Sequence, residues 1–148
     1  MAFSENDVPN LGFYNWNVVD NCLTGDVIFA SLYGFTLDEV VRGVTIEDVM
    51  ARIIPGDRER VAFEVHTGIL SGEAGSSCYT VFDGFCLKKV MSIGRCLHDT
   101  TGLPSFYTGT IFERPDRQQD VPTNVSGHNV VPFQRLSRLD GPAPLHDI

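Results

Sequence analysis

A chain of 148 residues, 43% of them apolar and 20% charged, is about one domain's worth of material and enough for a single hydrophobic core. Its formal charge of −8 repels phosphate backbones and anionic lipid surfaces, which argues against nucleic acid and membranes as partners. No apolar run approaches the roughly 18 residues that span a bilayer, and the opening "MAFSENDVPN" lacks the basic flank and apolar run of a secretion signal, so the expected setting is the cytoplasm.

After an N-terminal segment, residues 1–10, "LGFYNWNVV" alternates apolar and polar residues as a half-buried strand does. The turn-like "DNCLTGD" then leads into the β-branched "VIFA", which completes an expected hairpin. Two short helices follow. Thr36 caps "LDEVV" and Gly43 stops it, and Thr45 caps "IEDVM" in the same way. The longest helix lies in "IIPGDRERVAFEVHTGILSGE", with Pro55 in its first turn, Asp57 at the positive end of the dipole and Gly72 as its C-cap. On a helical wheel Val61, Val65, Ile69, Ala62, His66, Leu70 and Phe63 form one apolar arc. That arc puts His66 toward the core and Arg60 and Glu64 on the far side.

Beyond this helix, "SSCYTVF", "CLKKVMSIGRCLHD" and "LPSFYTGTIFE" read as three antiparallel strands joined by the turns "DGF" and "TTG". The fold class is α+β: a five-stranded antiparallel sheet with its helices inserted between strands two and three, one face covered and the other open. Along the last strand Tyr107, Gly109 and Ile111 share a face. Phe106, Thr108, Thr110 and Phe112 share the other, where exposed aromatics would mark an association surface. Composition changes after Glu113. The tail, 114–148, holds five of the eight prolines and is neutral, so residues 1–113 carry all the net charge. Within it residues 132–139 read as a short amphipathic helix with Phe133, Leu136 and Leu139 on one stripe and Arg135 and Arg138 beside it. Eight residues do not overcome helix nucleation alone, so this segment is expected to dock on the open sheet face, in its own chain or in a second copy.

Cys22, Cys78, Cys86 and Cys96 contain no CxxC pair, so neither a metal site nor a disulfide is expected. Gly-rich phosphate loops, a Gly-x-Ser-x-Gly elbow and paired histidines at ligand spacing are all missing, and the chain reads as non-enzymatic.

Seven short stretches in order carry a wider likeness: "GFYNW" with Gly12 and Trp16, "TGDVIFASLYGF", "IIPGDRERV", "SGE", "DGF", "HDTTGLP" and "YTGTIFE". With the element order, they resemble a PAS domain over residues 11–113, of the variety in which a tryptophan follows a glycine in the first strand. The resemblance implies a sensor whose cavity, between sheet and helices, holds a haem, a flavin or a metabolite, and whose open sheet face pairs with a partner. Ile54, Pro55, Gly56 and Asp57 stand where the family has His-Pro-Asp-Asp. Glu113, Arg114 and Pro115 replace the closing Asp-Ile-Thr, and a proline there blocks direct continuation into a signalling helix. The expectation is therefore a stand-alone bacterial module acting in trans on a kinase or regulator, with homodimerisation through the sheet face.

The resemblance makes Trp16, His66, Tyr79, Tyr107 and Gly109 the candidate cavity residues. His66 is either a haem ligand or a hydrogen-bonded core histidine. Trp16, Tyr79 and Tyr107 either stack on a planar ligand or fill a small core, and Gly109 allows close approach of a ligand or backbone. A flavin photoadduct needs a cysteine inside Gly-x-Asn-Cys-Arg-Phe-Leu-Gln, and Cys22 after Asn21 lacks the rest of that motif. Two functions stay open: a ligand-responsive sensor, or an interaction adaptor with a collapsed pocket.

Overall fold

The chain's first reversal is built on Asn21, which adopts a left-handed φ of 54°. This turn joins β1 (Gly12–Asn17) to β2 (Cys22–Gly25) in a tight antiparallel hairpin, in which Trp16 pairs with Leu23. The second strand is thus "CLTG", the stretch expected to be a turn. "VIFA" is instead helical and opens α1 (Val27–Tyr33). Capping overrides β-propensity here: Asp26 Oδ1 accepts the Phe29 N–H at 3.0 Å, Oδ2 accepts the Phe13 N–H at 3.2 Å, and Gly34 closes the helix at φ 78°.

The next two helices start as the sequence indicates. α2 (Leu37–Arg42) and α3 (Ile46–Met50) each begin in a capping box, Thr36 with Glu39 and Thr45 with Asp48. The fourth helix, α4 (Pro55–Ser71), has Pro55 in its first turn and Gly72 as its left-handed C-cap. Four helices, rather than three, therefore lie between the second and third strands. The remaining strands are β3 (Gly75–Phe82), β4 (Leu87–His98) and β5 (Pro104–Glu113). Asp83 organises the β3–β4 turn by accepting the N–H groups of Phe85 and Cys86 and pairing with Lys88 at 2.9 Å. The Cys86 N–H first, with Lys88 next, holds its carboxyl well below the usual range.

All pairings are antiparallel, in the order β2-β1-β5-β4-β3. The computed structural model describes residues 10–115, so the expected helix at 132–139 lies outside the described residues. The four cysteines are free. The core between sheet and helices is built from Phe29, Tyr33, Val40, Ile53, Val61, Val81, Val90 and Ile111. Both sheet edges are partly occupied. Val44 exchanges two hydrogen bonds with Leu23 on β2, and the chain from Arg52 to Ile54 pairs with Thr80 and Phe82 on β3. This pairing covers part of each edge among the described residues, and the sheet's outer face carries exposed apolar side chains. Phe13, Leu97 and Phe106 are exposed there.

Asn21 also ties the hairpin to the helical layer. Its Oδ1 accepts both the Trp16 Nε1–H and the Ile46 N–H at 3.0 Å, while its Nδ2 donates to Glu47 at 2.8 Å. Asn21→Ala should cost about 2–3 kcal/mol, from the lost acceptor and the positive φ. Asn21→Gly should recover only the backbone part, which urea unfolding of both variants measures.

Candidate functional site: a cavity walled by tyrosines

Strand register decides which side chains meet under the helices. Trp16 pairs with Tyr107, which pairs with Cys96, and Ser77 pairs with Ser92; all of these turn inward. All four tyrosines of the chain and its single tryptophan line one cavity of about 60 Å³. Trp16 and Tyr107 lie with ring centroids 6.3 Å apart. Of the candidate residues, Trp16, Tyr79 and Tyr107 are therefore brought together, and two others are not.

Gly109 faces inward but does not border the cavity. A Cβ on it would meet the Ile93 carbonyl oxygen first and stand 2.6 Å from Tyr14 Oη, so the glycine allows close approach of the neighbouring backbone and the Tyr14 hydroxyl, the backbone alternative of the two expected. His66 is exposed, which corrects the expectation of a core position. The buried side of α4 carries Val61 and Gly68, with Asp57, Arg60, Glu64 and Val65 half-buried beside them. That face is turned about a third of a turn from the apolar arc on the wheel. Ala62, Phe63, His66 and Leu70 point to solvent as a result.

Glu64 explains the rotation. Its side chain is 12% exposed, and its Oε1 accepts the Ser77 hydroxyl at 2.5 Å. Arg60 donates to both carboxylate oxygens, at 3.2 and 3.3 Å, and its other terminal nitrogen donates to the Cys78 carbonyl at 2.8 Å. Asp57 accepts the Thr80 N–H at 3.0 Å. A buried carboxylate needs such partners, and β3 supplies them only if the helix is turned this way. A second polar group lies deeper: Tyr33 and Tyr79 hydroxyls meet at 2.5 Å, and Tyr14 Oη lies 2.8 Å from Ser92 Oγ. Burial pushes the Tyr79 and Tyr107 hydroxyls up to about 12 and raises Tyr14 and Tyr33 well above their ordinary value.

Sequence reasoning missed Tyr14, Tyr33, Glu64, Ser77 and Ser92. Gly68 in mid-helix lies over Tyr107, but a Cβ there would meet the ring and hydroxyl at ordinary contact distances, 3.7 and 3.5 Å, so the glycine is no signal of the site. A haem or a flavin does not fit this site. The cavity is far below the roughly 300–1,000 Å³ of drug-sized ligand pockets, no cysteine lines it, and His66 points away from it. Among the described residues no cluster of metal-binding side chains occurs, and no helix is long and apolar enough to cross a membrane.

This arrangement of sheet and helices recurs in solved structures. The N-terminal domain of a diguanylate cyclase with PAS/PAC sensor from Marinobacter aquaeolei superposes with a TM-score of 0.63 at 15% identity, over 70% of this chain and 94% of that one. The fold is that of PAS domains. A sensory box histidine kinase/response regulator from Burkholderia thailandensis matches at 0.62 and 22% identity, over 74% of this chain and 81% of that one. The PAS domain of BvgS from Bordetella pertussis matches at 0.52 and 16% identity, over 73% and 79%. No family model matches the sequence, and no curated protein does.

The tyrosines make the cavity readable by alkaline titration. Their unfolded value is about 10, so the folded state holds its protons longer and stability falls as pH rises from about 10 toward 12. Below that window their contribution is fully present. Ultraviolet absorbance should show tyrosinate forming cooperatively with the loss of circular dichroism. Ionisation near 10 in a still-folded protein would contradict the burial.

Proposed function

We propose that the protein is a PAS-type signalling module that senses a small ligand in the cavity under its helices and acts on a separate signalling protein, itself a kinase or regulator. The observation that supports this most is the cavity wall: hydroxyls and a carboxylate, each held by packing, converge on a space closed by Trp16 and Tyr107. A packed core has no need of that many polar groups, whereas a binding site does. The PAS likeness supplies the class of role, and the reading is non-catalytic and cytoplasmic. An adaptor without a ligand is the second reading, favoured by the cavity's small size.

Association is assigned to the outer sheet face, since Phe13, Leu97 and Phe106 are exposed there. Phe13 pairs with Thr110 and Phe106 with Asn17 and Leu97, so the aromatics share one face. If a homodimer uses it, Phe13→Asp with Phe106→Asp should give a monomer by light scattering, with unchanged circular dichroism. A dimer that persists in the double variant would move the interface elsewhere.

A further inference from the structure

Every polar side chain around the cavity has a visible partner except one. Trp16 donates to Asn21, Tyr33 and Tyr79 pair, Tyr14 pairs with Ser92, and Ser77 donates to Glu64. Tyr107 is only 8% exposed, and among the described residues no hydrogen bond reaches its hydroxyl. That hydroxyl lies beside Gly68, one turn along α4 from Glu64, at 3.5 Å from where a Cβ would stand, an ordinary contact distance. A buried unsatisfied hydroxyl is costly and calls for an explanation by strain, water or a ligand.

The charges at the site restrict what that partner is. An anion would face the Glu64 carboxylate, and a cation would compete with Arg60, which already neutralises it through two contacts. The lining also includes Val49, Ile53, Val61 and Val65, whose apolar side chains disfavour a strongly hydrated ion. Among the described residues Glu64 Oε2 accepts from Arg60 alone, which leaves lone-pair capacity for a further donor. The volume, about 60 Å³, equals roughly two waters of liquid, which suits a molecule of only a few non-hydrogen atoms.

We infer that the cavity binds a compact, uncharged molecule carrying both a hydrogen-bond acceptor and a donor, of the amide or short-alcohol class, with the acceptor on Tyr107 Oη and the donor on Glu64. This rests on the sensory reading above and narrows it to a ligand class. Tyr107 is then a binding residue kept at the expense of stability.

Trp16, the only tryptophan, reports on the cavity by its fluorescence. The full chain is titrated with acetamide, with acetate and methylammonium as charged counterparts and dissolved xenon as an apolar probe. Acetamide should give a saturable change, and the two ions should bind at least about tenfold more weakly. Tyr107→Phe should weaken acetamide about tenfold and leave xenon quenching unchanged, while its melting temperature stays equal or rises because an unpaired hydroxyl has gone. Equal acetamide affinity in the variant, or a fall in its melting temperature, would overturn the role of Tyr107. Saturable xenon quenching without any acetamide effect would overturn the ligand class and leave the sensory cavity standing. No response to either probe would overturn the cavity itself, and the sensory reading with it.

Discussion

The orientation of α4 about its own axis governs everything beneath it, and that orientation hangs on one carboxylate. Glu64 is held by Ser77 from β3 and by Arg60 from its own helix, and Arg60 in turn reaches the Cys78 carbonyl. Desolvating a charge is expensive, so a helix turned any other way would leave Ser77 and Glu64 without each other. With this orientation Gly68 comes over Tyr107 and Val61 enters the core. Val61, Glu64 and Val65 are the residues of this helix that line the cavity.

Both faces of the sheet mix polar and apolar side chains. Inward, tyrosine and serine hydroxyls line a site where low dielectric strengthens each hydrogen bond and penalises any that is missing. Outward, Phe13, Leu97 and Phe106 are exposed beside Asn17 and Thr110. Alternate residues of β4 and β5 serve both faces, so the proposed ligand site and the proposed association face share these strands.

Punctuation made much of the architecture legible in the sequence. Thr36, Thr45, Pro55, Gly43 and Gly72 mark helix ends by local chemistry, and the three long strands alternate clearly enough to be read. "VIFA" misled because its β-branched residues are outweighed by a cap from Asp26, which needs the neighbouring strand to be seen. His66 misled for the opposite reason. Counting apolar residues on a wheel favours Phe63 and Leu70, but the helix buries Glu64 because partners on β3, thirteen residues later, satisfy it. Trp16, Tyr79 and Tyr107 were legible as cavity residues through alternation and family likeness, whereas Tyr14 depended on its register opposite Gly109.

A double-mutant cycle between Glu64→Gln and Ser77→Ala, read by urea unfolding, tests the orientation of α4 most directly. The two losses should be non-additive by about 1–2 kcal/mol, as expected for a charge-assisted bond within one network, while His66→Ala should change stability by less than about 0.5 kcal/mol. Additive losses at Glu64 and Ser77, together with a loss of several kcal/mol at His66, would show that the helix presents its other face to the cavity.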